Sequence, residues 1–351
     1  MAQLLLTTVV FRLSSIGDIV LTSPLLRVLR NAIGPKARLD FVVRKEFADL
    51  VRSNHHLSVV HEYDPATGWK GLRELNATLR RERYDLAVDL HDSLRTKYLR
   101  ACCGARETTV VNKRQYERWQ LVHRKRNIYT GIIPVPLRYL ETISKFGIGD
   151  DGRGLELFVP DSVQSAVSGK MAAAQLHRFE CVIGICPGAK HFTKRWQREK
   201  YAELGVRAAR ERGAKILLFG GPAERDDCAY VADSIRTQVC PDCVEDHSGV
   251  LSLLETAAAF DFCDVVVTND SGLMHIAASR QKKIVALFGS TVLEFGFGPF
   301  GTEAEVIERK GLECRPCTHI GRASCPLGHF KCMTDIGVDE VAASVSAMLA
   351  R

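Results

Sequence analysis

Short apolar runs rich in β-branched residues recur along this chain and alternate with segments of helical spacing. They read LLLTTVVF, RLDFVVR, YDLAVDL and TTVV in the first half, then CVIGIC, KILLFG, VVVTN and KIVALFG in the second. A strand covered on both faces is apolar throughout, and strands joined through a helix must pair in parallel. The pattern therefore restricts the chain to an α/β fold with mainly parallel sheets. The alternation breaks once, between about 112 and 155, where the basic stretch KRQYERWQLVHRKR passes into the Gly- and Asp-rich GIGDDGRG. A short strand LELFVP and a helix toward residue 177 are expected after the break. Two domains follow, 1–155 and 156–336, with a C-terminal helix in 337–351 whose lobe the sequence does not assign.

With 46% hydrophobic and 25% charged residues, the chain can bury a substantial core, and disorder is excluded. The formal net charge of +7 suits an anionic ligand or an acidic membrane face, but no nucleic-acid motif accompanies it. MAQLLLTTVVF lacks a basic leader and a small-residue cleavage site, so it reads as a strand rather than a signal peptide. No run reaches the roughly 18 apolar residues that span a bilayer, which makes any membrane contact peripheral. A cytoplasmic location is expected, and twelve cysteines imply reduced thiols or metal ligands there more often than disulfides.

Ligands of doubly wound sheets bind outside the carboxyl ends of the strands, and several chemistry-bearing residues fall at such ends. In RLSSIGDIVLTSPLLRVLR, Asp18 follows the first strand and a permissive Gly17, ahead of a helix expected to begin near Ile19. It reads either as a helix N-cap or as a general base for an attacking hydroxyl. In CDVVVTNDSGLMHIAAS, Asp270, Ser271 and Gly272 open a helix whose backbone N–H groups favour an anion, with His275 one turn along. Asp270 as a simple cap and His275 as a buried structural histidine are the plainer readings. PGAKHFTKRWQREKYAEL places Thr193 and Lys194 on a loop where lysine can neutralise phosphate, and Glu224 in GGPAERD can accept ribose hydroxyls. Together these loops suggest a nucleotide carrying a pyrophosphate.

Two other motifs are ambiguous or misleading. Gly296, Gly298 and Gly301 form a literal GxGxxG, but TEAEVIERK after it reads as a strand rather than the required helix. Cys314, Cys317, Cys325 and Cys332 could close a structural zinc site, pack as thiols under a loop, or form disulfides. The CxxC of Cys240 and Cys243 reads as a surface turn.

The stretches at 12–30, 187–204 and 268–279, with CRPCTHIGRASCPLGHFKCM near the end, resemble glycosyltransferase family 9, the heptosyltransferases of the lipopolysaccharide inner core. The resemblance implies a GT-B fold of two facing Rossmann-like lobes. It also implies inverting, metal-independent transfer of a heptose from ADP-heptose to a hydroxyl of a lipid-linked acceptor. The family's base maps onto Asp18, its phosphate-binding lysine onto Lys194, and its donor turn onto Asp270, Ser271, Gly272 and His275; Glu224 matches more loosely. The first lobe would hold the acceptor, with the basic stretch meeting its anionic groups at the cytoplasmic membrane face. A non-catalytic nucleotide-sugar-binding module, or a transferase using another nucleotide sugar, are the alternatives.

Overall fold

The computed structural model describes residues 7–351, so the opening of LLLTTVVF lies outside the described residues. The chain divides into two compact units, one running to Arg114 and including 133–158, the other comprising 115–132 and 159–351.

In the first unit five strands, β1 (Thr7–Phe11), β2 (Arg38–Arg44), β3 (Val59–Tyr63), β4 (Leu86–Asp89) and β5 (Glu107–Val110), form one parallel sheet in the order β3-β2-β1-β4-β5. Val9, Phe11, Val42 and Ala87 are buried in it, as continuous apolar runs require. The strand VVHEY carries polar residues and sits at the sheet edge, which is why no apolar run announced it. The order reverses between β1 and β4, and their following loops emerge side by side at the carboxyl edge.

LELFVP does not form the expected strand. Its polar groups are taken up by the helix Ser23–Ile33 and by His56: the Glu156 N–H donates to Ser23 Oγ at 3.0 Å, and the Glu156 carboxylate meets Arg27 at 3.1 Å and His56 at 2.9 Å. Arg27, only 1% exposed, also donates to the Asp151 carboxylate and the Gly154 carbonyl. A buried guanidinium thus clasps the returning segment onto the helix that follows Asp18.

In the second unit β6 (Cys181–Cys186), β7 (Ala214–Leu218), β8 (Val244–Asp246), β9 (Val265–Asn269), β10 (Lys283–Phe288) and β11 (Ala304–Glu308) form a parallel sheet in the order β11-β10-β9-β6-β7-β8. Its switch point lies between β6 and β9. The segment after the GxGxxG pattern is β11, so no helix is there to face a pyrophosphate. The C-terminal helix Val338–Ala350 packs on this unit, burying Val341, Val345 and Met348 in its core.

The observed division also differs from a boundary at 155, because 115–132 groups with the second unit. Lys125 donates there to the carbonyls of Cys314 and Pro316, at 3.1 and 2.6 Å, and Asn127 donates to Glu294. Replacing Arg27 with Met leaves two partly buried carboxylates without their cation. The unfolding free energy from urea titration is expected to fall by about 3 kcal/mol, the scale of breaking a buried ion pair from one side.

Candidate functional site

At the carboxyl edge of the first sheet, β1 hands over to Arg12 and then to the helix Ile16–Val20, capped by Ser15. Asp18 is neither the cap nor ahead of the helix. It is the third helical residue, and its Oδ2 accepts from the Ser15 N–H at 3.1 Å and from Ser15 Oγ at 2.8 Å, as the returning acid of a capping box does. Its Oδ1 faces Arg12 at 2.5 Å, with the carboxylate 17% exposed. Burial alone would raise the Asp18 carboxyl, but the Arg12 charge and the bonds from Ser15 and Arg12 hold it below the usual carboxylate range. Asp18 is therefore ionised at neutral pH.

Arg12 also donates to the Leu90 carbonyl, joining the loop after β1 to the loop after β4, and lies over the ring of Tyr139 at 5.7 Å. The buried carboxylate of Asp89 shapes that second loop by accepting the N–H groups of His91 and Asp92 at 2.9 and 2.8 Å. Burial and the charges of Arg12 and Lys113 push His91 down to about 4, so its imidazole is neutral. The edge thus offers an anionic carboxylate braced by a guanidinium, beside a neutral imidazole. Such a carboxylate can take a proton that an oxygen releases late, once a new bond has made it acidic. Nothing in the sequence around Arg12 signals this role, and His91 and Tyr139 come from distant segments with no local signal.

At the switch point of the second sheet the loops after β6 and β9 are tied by one side chain. Asn269, fully buried, donates through its amide nitrogen to the carbonyls of Pro187 and Gly188, at 2.6 and 3.3 Å. Its amide oxygen accepts from the Trp196 N–H and the Tyr201 hydroxyl, at 3.1 and 3.0 Å. Asp270 is not the cap of the next helix. Ser271 holds that place, while Asp270 meets Lys194 Nζ at 2.7 Å and accepts from Thr291 Oγ1 at 2.6 Å. The acid that would otherwise repel an anion is thereby neutralised, leaving Ser271 and Gly272 at the start of the helix Gly272–Ser279. His275 is one turn in and only 3% exposed.

Thr193, also buried, is fixed by Ser290 Oγ at 3.0 Å and by exchange with Arg322, whose N–H donates to Thr193 Oγ1 at 2.8 Å. A β-carbon on Gly289 would come within 2.8 Å of the Thr193 carbonyl, so the loop carrying Lys194 is packed tightly from below. Glu224 accepts the Gly221 N–H at 2.8 Å and lies against Gly188, where a β-carbon would meet its Cγ at 2.2 Å. The structure therefore brings Thr193, Lys194, Glu224, Asp270, Ser271, Gly272 and His275 to one edge. The field there is positive: besides burial, the charges of Lys194, Lys190 and Arg195 lower His191, and those of Arg118 and Lys194 help push His319 down to about 4.

The cysteines need two corrections. Cys314, Cys317, Cys325 and Cys332 line one cavity of about 30 Å³ with His329 and Thr193, yet no three His, Cys, Asp or Glu among the described residues are placed to hold a metal ion. The loop is shaped instead by Arg315, which donates inward to Glu308 and to the carbonyls of Arg309 and Thr291. Burial raises the Cys317 thiol and pushes Cys332 up to about 11, the protonated state of packed thiols. Cys240 and Cys243 are joined by a disulfide, since the turn Pro241–Cys243 sets their Cα atoms 5.4 Å apart.

Two Rossmann-like units with parallel sheets, the second presenting a cationic loop and an open helix start at its switch point, define a protein of the GT-B fold class. The model of glycosyltransferase family 9 (heptosyltransferase) matches residues 72–327, and the chain belongs to that family. Lipooligosaccharide heptosyltransferase 2 of Campylobacter jejuni is 31% identical over 162 residues, 46% of this chain and 48% of that protein. The chain thus spans about half the length of that relative. Lipopolysaccharide heptosyltransferase 2 of Escherichia coli K12 is 27% identical over 309 residues, 84% of this chain and 85% of that one. Among solved structures, a family 9 glycosyltransferase of Veillonella parvula superposes with a TM-score of 0.80 at 23% identity, covering 98% of this chain and 97% of that one. The E. coli ADP-heptose lipopolysaccharide heptosyltransferase II gives 0.72 at 22% identity, covering 98% of each.

Paired variants test the role of Asn269. Asn269→Ala should lower the unfolding free energy by about 2 kcal/mol, since bonded groups are left buried. The isosteric Asn269→Asp should lose at least as much at neutral pH, because it sets a carboxylate against two carbonyls.

Proposed function

We propose that this chain transfers a heptose from ADP-heptose to a hydroxyl of a lipopolysaccharide inner-core acceptor, with inversion and without a catalytic metal ion. The observation that carries the proposal is the second unit's edge, where Lys194 and the helix start at Ser271 and Gly272 stand over neutralised Asp270. A diphosphate placed there meets a cation and backbone donors, which stabilise charge growing on a departing nucleotide diphosphate. Glu224, beside Gly188 at the same edge, is suited to ribose hydroxyls, Thr193 holds the loop through Ser290, and His275, one turn into the helix, is the candidate further donor to the diphosphate. The curated relatives are named as heptosyltransferases of lipopolysaccharide or lipooligosaccharide, which favours this donor and acceptor over another nucleotide sugar.

On the first unit, Asp18 takes the proton of the acceptor hydroxyl. Its carboxylate is a weak base, with its oxygens already engaged by Arg12 and Ser15. It suits a reaction in which the bond to the anomeric carbon is well formed before the proton leaves. Inversion follows from a single displacement, because the proposal uses no enzyme nucleophile. With Lys194 and the helix start carrying the developing charge, a chelator should leave the rate unchanged.

Asp18→Asn is expected to cut kcat by roughly 100-fold or more while ADP-heptose affinity, measured by calorimetry, stays within about threefold. Lys194→Ala should weaken that affinity roughly 100-fold, the scale of a charge-assisted bond to phosphate. Wild-type turnover in Asp18→Asn, or unchanged donor affinity in Lys194→Ala, contradicts the assigned role. The pH profile supplies a further check. Asp18 is held below the usual range, so kcat/KM should show no acid limb from it above about pH 4. Arg12→Gln removes the favouring charge, lets burial raise the Asp18 carboxyl, and moves an acid limb to higher pH.

A further inference from the structure

The turn that joins the helix Arg225–Gln238 to the edge strand β8 carries the disulfide between Cys240 and Cys243. The ten other cysteines are free, so oxidation is confined to one pair. The bridge adds little to the hold on this turn. It closes a loop of four residues, which removes far less chain entropy than a bridge between distant segments. Both flanks are anchored without it: Val231 and Ile235 of the helix and Val244 of β8 lie in the core of the second unit. The Asp242 carbonyl is held by Lys215, 3% exposed, whose Nζ donates to it at 2.8 Å and meets the Glu245 carboxylate at 3.0 Å. The two cysteines differ in access. Cys240 is half-buried beside exposed Pro241 and Asp242, whereas Cys243 is 7% exposed and packs in the core. A reachable cysteine three positions ahead of a buried one suits exchange, because a thiolate from outside attacks the first sulfur while the second leaves.

The turn is also close in sequence to the candidate nucleotide edge. β8 is three residues long, and beyond it the His247 N–H donates to the Leu218 carbonyl and the Gly249 N–H to the Gly220 carbonyl, at 3.0 and 2.8 Å. Gly220 lies against Glu224, where a β-carbon would meet the Glu224 Cβ at 2.8 Å.

We infer that Cys240 and Cys243 form a thiol–disulfide exchange site for a protein dithiol of the thioredoxin class, and that its state sets how firmly β8 and the loop after it are held. In the reducing direction a thiolate of the partner attacks Cys240 Sγ, a mixed disulfide forms, and Cys243 leaves as a thiolate that takes a proton from water. The partner's second thiol loses its proton, attacks the partner sulfur of the mixed disulfide and releases Cys240 as a thiolate, which is protonated in turn. Two electrons and two protons pass to the pair, and the partner departs as a disulfide. With the bridge open, the turn keeps the Lys215 bond and the Cys243 N–H to Cys240 carbonyl bond at 3.3 Å. An edge strand of three residues, paired on one side only, loosens with its lead-in. This chemistry is independent of the proposed transfer reaction.

The test uses the full-length chain without nucleotide, equilibrated with excess oxidised glutathione and desalted. Free thiols are blocked with light N-ethylmaleimide, reduced thioredoxin is added, and new thiols are labelled with the heavy reagent for peptide mass spectrometry. Heavy label is expected on both Cys240 and Cys243, with the far-UV circular dichroism unchanged. Thioredoxin whose second active-site cysteine is replaced by serine should be trapped on Cys240. Reduction should speed amide exchange across 244–249 roughly threefold or more while leaving the helix Gly272–Ser279 unchanged, and Cys240→Ser with Cys243→Ser should exchange like the reduced chain. Light label on the pair after oxidation, heavy label only once the chain is unfolded, trapping on Cys243 in place of Cys240, or unchanged exchange across 244–249 overturns the inference. A disulfide that only braces the turn gives the second of these results.

Discussion

The buried amide of Asn269 is the constraint on which the second unit's edge depends. A parallel sheet presents its loops at one end but does nothing to hold them together. Asn269, the last residue of β9, reaches sideways to two carbonyls of the loop after β6 and receives two donors from the Trp196 region. Four bonds from one side chain fix the loop that carries Lys194 to the turn that carries Asp270. Asparagine is required because both halves of the amide are used, one as donor and one as acceptor.

The first unit solves the same problem with charge. Arg12 links the loops after β1 and β4 through the Leu90 carbonyl while holding Asp18 ionised. Both sheets thus place their candidate site residues beside the switch between strand orders, and both rely on a side chain at or just past a strand's end to connect loops that the backbone leaves apart. The difference suits the tasks proposed for them. A carboxylate that takes a proton benefits from a nearby cation, whereas a phosphate site benefits from neutral donors and an acid that is already paired.

Much of the fold was legible because fully covered strands leave unmixed apolar runs: RLDFVVR, CVIGIC and VVVTN coincide with β2, β6 and β9. VVHEY escaped as an edge strand with a mixed pattern, and LELFVP misled because its apolar residues pack against a helix rather than a sheet. The grouping of 115–132 with the second unit rests on contacts such as Lys125 with the 314–316 loop, which no local pattern announces. At the sites, residue types and positions were legible but partnerships were not. Asp18 and Asp270 both looked like caps, and in both cases a neighbouring serine takes that role while the acid pairs with a cation. The cysteine spacing was equally real, but the cavity the thiols line is shaped by Arg315.

The central claim is that a nucleoside diphosphate sits on the second unit between Lys194 and the helix start at Gly272. A crystal structure of the chain soaked with ADP tests it most directly. The account predicts diphosphate density within hydrogen-bond reach of Lys194 Nζ and the Gly272 N–H. Density at Gly296–Gly301 or on the first unit, with the 194–272 edge left to water, would contradict it.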